Sequence, residues 1–189
     1  MKRTRFLFAV IPVLLFATTI TWAQVPEFPD PQQAHAWLQQ FAGEWTSTSR
    51  TTALPGQPAM ECTGTMKSRM LGGFWVINEV RGDMGGMTFD AIQTIGYNAA
   101  KKKYVGTWVD SMMDFLWHYE GDVDHTGTKL VLVAEGPNFM APGKVARFRD
   151  SYQFKSPDLI VATAEMMDDD GNWVTFMTGE MKRNPRKPQ

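Results

Sequence analysis

Six polar residues interrupt otherwise apolar, β-type stretches: Asp110, Asp114, His118, Arg147, Arg149 and Glu165. A carboxylate and an imidazole within hydrogen-bond reach support acid–base work, and Asp110, His118 and Glu165 are the group that could do it. Without a reaction, the same six side chains would act as a polar clamp that orients a ligand. Alternation along a strand puts Asp110 on the face of Tyr104, Gly106 and Trp108. It puts His118 with Leu116 and Glu120, opposite Trp117 and Tyr119, and Arg147 and Arg149 opposite Phe148, Tyr152 and Phe154. Periodicity leaves open which face points inward. The competing arrangement is a set of cross-strand ion pairs on the solvent face, each contributing a few tenths of a kcal/mol.

Other chemistries find less support. The histidines are His35, His118 and His125, with no H-x-H, no H-E-x-x-H and no cysteine cluster, so neither a zinc site nor any other metal centre is expected. No G-x-S-x-G motif is present, and no histidine is placed by spacing alone to activate Ser111. Asp122, Asp124, Thr126 and Gly127 imitate the start of a calcium loop, but its twelfth position is Val133 where a bidentate Glu is required, so the segment reads as a hairpin turn. Asp168, Asp169 and Asp170 before Gly171 read as a solvated turn. The methionines carry more information, because 13 of 189 residues is a high share. Paired at or near strands, as in Met112 with Met113 and Met177 with Met181, their flexible thioethers suit a cavity that adapts to apolar ligands. Together with 7 Trp and 12 Phe they describe a domain rich in adaptable apolar surface. The ligand-binding candidates are therefore Trp108, Asp110, Met112, His118, Arg147, Arg149, Glu165 and Met177, with no cofactor expected.

The elements that must position these residues are short. Asp30 can cap a helix over Gln32 to Phe41, with Pro31 at its first position and Ala34, Trp37, Leu38 and Phe41 on one stripe. Ten β-type runs follow: Trp45 to Ala53, Met60 to Met70, Phe74 to Gly82, Thr88 to Tyr97, Tyr104 to Ser111, Asp114 to Gly121, Lys129 to Glu135, Val145 to Phe154, Leu159 to Met167 and Trp173 to Lys182. Turn residues between them pair neighbours antiparallel. Ten strands exceed what an open twisted sheet usually holds, which favours an all-β, up-and-down antiparallel barrel over a two-sheet sandwich.

The N-terminus is a targeting pattern. Lys2, Arg3 and Arg5 precede an apolar stretch from Phe6 to Ile20, and Thr21-Trp22-Ala23 offers a cleavage site, so residues 1–23 read as a secretory signal peptide. The stretch is shorter than a membrane span, and no membrane span is expected after cleavage. Residues 24–31, with Pro26, Pro29 and Pro31, form an extended leader; 32–185 form one barrel domain and 186–189 a tail. Cleavage removes three basic and no acidic residues, taking the formal charge from −1 to −4, a balance that does not attract nucleic acid. The protein is expected in the periplasm or outside the cell, where the lone Cys62 has no intrachain partner.

Gly43-Glu44-Trp45 at the entry to the first strand and Arg183 at the end of the last form a pattern that resembles the calycin barrels, lipocalins and fatty-acid-binding proteins among them. That resemblance implies that Trp45 closes one end of the barrel and Arg183 packs over its ring. The run from His35 to Trp45, then Leu71-Gly72-Gly73-Phe74, Ile95-Gly96-Tyr97-Asn98, Trp108-Val109-Asp110-Ser111, Gly121 and Lys182-Arg183, is similar to the bacterial family catalogued as domain of unknown function 1579. Asn98 departs from the Asp expected there. The resemblance implies a calycin-like barrel, often exported, and supplies no reaction. The haem-binding nitrobindin barrels use a late histidine, and this chain has none after His125. Three readings follow: the first is a barrel binding a small apolar or amphipathic molecule, and the second a filled barrel serving a structural or interaction role, in one form as a homodimer. An Asp/His/Glu enzyme is the third.

Overall fold

Runs of residues whose side chains alternate between apolar and polar, cut by Gly, Asp and Asn turns, give ten strands in the computed structural model, which describes residues 28–52 and 58–185. The signal-peptide and tail assignments, and the leader up to residue 27, lie outside the described residues. The strands are β1 Gly43–Thr51, β2 Glu61–Leu71, β3 Trp75–Met84, β4 Met87–Asn98, β5 Lys103–Asp110, β6 Trp117–Val123, β7 Lys129–Pro137, β8 Val145–Ser156, β9 Leu159–Met167 and β10 Trp173–Arg183. Each pairs antiparallel with the next, and β1 pairs with β10, so the sheet is a closed barrel with no free edge. Closure removes the unpaired row of backbone groups that an open ten-stranded sheet would expose.

The register fixes which side chains point inward. Trp45, paired with Met66 and Arg183, starts a fully buried layer that continues through Val76, Ile95, Leu130 and Ile160. Along β8 the inward set is Ala146, Phe148, Asp150, Tyr152 and Phe154, and along β5 it is Tyr104, Gly106, Trp108 and Asp110. The bulge between Thr175 and Met177 gives β10 an extra residue, so that both Phe176 and Met177 turn toward the interior.

One end of the barrel is plugged. The α-helix α1, Gln33–Trp37, tightens into a 3-10 turn over Leu38–Phe41. The tightening places Leu38 and Phe41 one above the other, and both are completely buried in the barrel end. Trp37 meets Tyr104 and Phe154 edge-on, and its indole N–H donates to the Gly127 carbonyl at 2.8 Å. The helix starts later than the sequence implies. Gln32, not Asp30, occupies the cap, its N–H donating to His35 Nδ1 at 2.9 Å, while His35 Nε2 reaches the Tyr97 carbonyl at 3.0 Å. Strand β6 also starts at Trp117, not Asp114, because the Asp110 carboxylate accepts the Met112 and Met113 N–H groups and turns the chain there. No described helix is long and apolar enough to cross a membrane.

Candidate functional site in the barrel interior

Above the plug, the inward wall changes character. On β3 and β4 the apolar rows are interrupted by Asn78 and Gln93, directly paired and both fully buried. Asn78 Nδ2 donates to Gln93 Oε1 at 2.9 Å, and Gln93 Nε2 donates to the Tyr152 hydroxyl oxygen at 3.0 Å. Across the barrel from that amide pair, the Tyr119 hydroxyl donates to Asp150 Oδ2 at 2.6 Å. Near the mouth, Trp108 Nε1 donates to Asp110 Oδ2 at 2.8 Å. Five strands thus contribute to one inward-facing polar band.

Its electrostatics follow from burial. Loss of water pushes the Asp150 carboxyl up to about 6, against the opposing pull of the Tyr119 hydrogen bond. Burial, with the Asp150 charge beside it, pushes the Tyr119 phenol well above its ordinary value, and burial raises Tyr152 as well. On the described strands every Lys, Arg and His takes an outward position or, as with Arg183, closes the plugged end. Among the described strands, the inward row above the plug therefore holds carboxylates and no basic group.

Part of this band remains accessible. Asp110, Asp150, Tyr152, Ala162, Met166 and Met177 all face inward yet remain partly accessible. Small residues line the same wall: Ser47, Ser49, Gly64, Ala91, Ala134 and Ala164. At the mouth, Phe139, Phe148 and Phe176 form an aromatic cluster, and Phe115 and Phe148 both meet Trp117 edge-on.

The structure separates the residues singled out from the sequence. Trp108, Asp110 and Met177 face the interior, where the Ser49 hydroxyl lies 3.7 Å from Met177 Sδ. Met112 is exposed in the β5–β6 turn. His118 and Arg147 point outward, into an open groove of about 650 Å³ beside Trp75, Glu120 and Glu135. Arg149 and Glu165 also lie outside, joined by a two-pronged pair at 2.6 and 2.8 Å, with the guanidinium 4.4 Å over the Trp173 ring. That guanidinium holds the Glu165 carboxyl below its usual range. The six polar residues accordingly do not form one clamp: His118, Arg147, Arg149 and Glu165 sit across the wall from Asp110, and Asp114 lies in the turn beyond it, because odd positions of β8 and β9 and even positions of β6 face solvent.

Asn78, Gln93, Tyr119, Asp150 and Tyr152 are the interior residues that sequence reasoning missed. A signal existed for Asp150, which shares its parity with Phe148, Tyr152 and Phe154 on the aromatic face of β8.

At the plugged end, Arg183 lies 4.1 Å over the Trp45 ring. Its Nη1 donates to the Ala42 carbonyl and its Nη2 to Gln40 and Pro157, while Trp45 Nε1 donates to Phe41.

Solved structures with this architecture include Rv2717c from M. tuberculosis, 12% identical with a TM-score of 0.62, covering 82% of this chain and 100% of that one. The S-type phycobiliprotein lyase from Guillardia theta is 12% identical with a TM-score of 0.53, covering 83% and 100%. At that identity the likeness establishes the fold alone. No curated protein matches the chain in sequence. Residues 30–183 match the family described as "Protein of unknown function (DUF1579)", and the chain belongs to that family.

Proposed function

We propose that this protein is an exported binding barrel that takes a small amphipathic molecule into its interior from the end opposite the plug. The observation that carries the reading is the inward wall itself. Asp150 and Tyr152 keep accessible surface inside a closed barrel, amid Trp108, Trp117, Phe148 and Met177, and opposite a sealed end. Binding sites of this kind are concave and mostly apolar, with a few placed polar groups that fix orientation. A ten-stranded barrel is also wide enough to enclose a ligand. The polar groups belong to the wall and so arrive already positioned, which lowers the entropic cost of binding. Export rests on the basic, apolar and small-residue pattern of residues 1–23.

Native mass spectrometry of the chain purified from an exported fraction tests this directly. The expected result is a processed chain carrying a non-covalent mass that disappears on denaturation. A bare, processed chain that also takes up no amphiphile would contradict the reading, and a bare dimer would favour the interaction role.

A further inference from the structure

We propose that the ligand of this interior is a cationic amphiphile, its protonated nitrogen held by Asp150 and its apolar body laid against Trp108, Trp117, Phe148 and Met177. The inference rests on the interior-binding reading above and adds the chemical class of the ligand.

Charge complementarity is the main argument. Among the described residues two carboxylates face inward, Asp110 and Asp150. They differ in what they have left to offer. Asp110 is consumed by its own turn: Oδ2 accepts the Trp108 indole N–H, and Oδ1 accepts the Met112 and Met113 amides. Asp150 accepts only the Tyr119 hydroxyl, on Oδ2. Its Oδ1 has no partner among the described residues, and the residue keeps accessible surface inside the barrel. The paired positions on the flanking strands are Leu132 and Ala164, neither of which can donate a hydrogen bond from its side chain. No Lys, Arg or His on the described strands turns inward to neutralise the charge.

A buried carboxylate is costly unless it is paired and hydrogen-bonded. An anionic ligand would add a second uncompensated charge of the same sign. A neutral ligand would leave the first one uncompensated. A protonated amine supplies both the charge and the donor that Oδ1 lacks, and charge-assisted N–H···O bonds are the strong ones. The raised Asp150 carboxyl, disfavoured as an anion by its burial, fits a group that gains from a cationic partner. Trp108 and Trp117, directly paired on β5 and β6, also turn inward, and indole rings attract cations.

The test uses three probes of one chain length, decylamine, decanol and decanoate. Each is titrated into the mature chain at pH 7.5, below its aggregation concentration, and followed by tryptophan fluorescence and calorimetry. The expected order is decylamine at least tenfold tighter than decanol, with decanoate weakest. Asp150→Asn keeps an acceptor for Tyr119, and its circular dichroism should match the parent; it is expected to lose the tenfold preference of decylamine over decanol. Equal or tighter binding of decanol or decanoate, or a preference that survives in Asp150→Asn, would overturn the cationic assignment and leave interior binding intact. Binding of none of the three would overturn interior binding and this assignment with it.

Discussion

Tyr119 and Asp150, thirty-one positions apart and on strands that do not touch each other, meet inside the barrel with the phenol donating to the carboxylate at 2.6 Å. Strand β7 lies between β6 and β8 and contributes only Leu132 and Ala134 to the inward row there, so two polar groups reach across it. Burial cost is accepted at this point of the core, which is the main physical reason to look for function there.

The raised Asp150 carboxyl links stability to pH. In the unfolded chain the group titrates near its ordinary 3.8, and in the folded barrel at about 6. The folded state therefore binds the proton more tightly. The associated stability is fully present below about pH 4 and is lost as pH rises through about 6, by up to about 3 kcal/mol. Thermal melts of the parent between pH 4 and 8 should show this decline. Asp150→Asn should flatten it and melt higher than the parent at pH 8. An unchanged slope in the variant would contradict the assignment.

Arg183 should be the residue on which the plugged end depends. It holds three backbone carbonyls and the Trp45 ring at once, a fork that a lysine ammonium cannot reproduce. Arg183→Lys is expected to cost about 2 kcal/mol, lowering the melting temperature by roughly 4–8 °C in a domain of this size. Differential scanning calorimetry reads it.

Gly43 is constrained from two sides. Its φ is +138°, and a Cβ there would lie 2.5 Å from Arg183 Nη1. Gly43→Ala should therefore destabilise by about 1–3 kcal/mol through strain and through displacement of the guanidinium, measured by urea unfolding. In an Arg183→Ala background the penalty should shrink, since the contact is then gone.

The exterior pairs should differ sharply. Arg149 and Glu165 are half-buried under Trp173 and doubly hydrogen-bonded, whereas Arg147 and Glu135 approach only to 3.9 Å with both side chains exposed. A double-mutant cycle is expected to give about 1 kcal/mol for the first pair and close to zero for the second. Glu165 is held below its usual range by the Arg149 hydrogen bonds, so the contribution of its pair is fully present above the ordinary 4.5 and is lost as the pH falls through the lowered value.

Much of the barrel was readable in the sequence, and for a physical reason. Strand period and turn chemistry are local, and all ten runs emerge within a few residues of their observed limits; Leu159–Met167 coincides. Closure followed from strand number. The site was less legible, because inward and outward are properties of the closed sheet. Asp110 was singled out with its correct companions Trp108 and Gly106, since alternation within one strand carries over to the fold. His118, Arg147, Arg149 and Glu165 were attractive because charged groups in strands look exceptional, yet a solvated outer face is where strands normally carry them. Asp150 hid among aromatics for the opposite reason. The Asn78–Gln93–Tyr152 relay needs three strands in register, and no single run encodes that.

The central claim is that the accessible space inside the barrel is where a ligand sits. The most direct measurement is a methionine-methyl carbon-13 spectrum of the mature chain titrated with decylamine. Inward Met166 and Met177 should shift in proportion to occupancy, with smaller changes at Met112 and Met140 in the exposed turns. Shifts confined to the exposed methionines, with Met166 and Met177 unmoved at saturation, would place the binding outside the barrel and contradict the account.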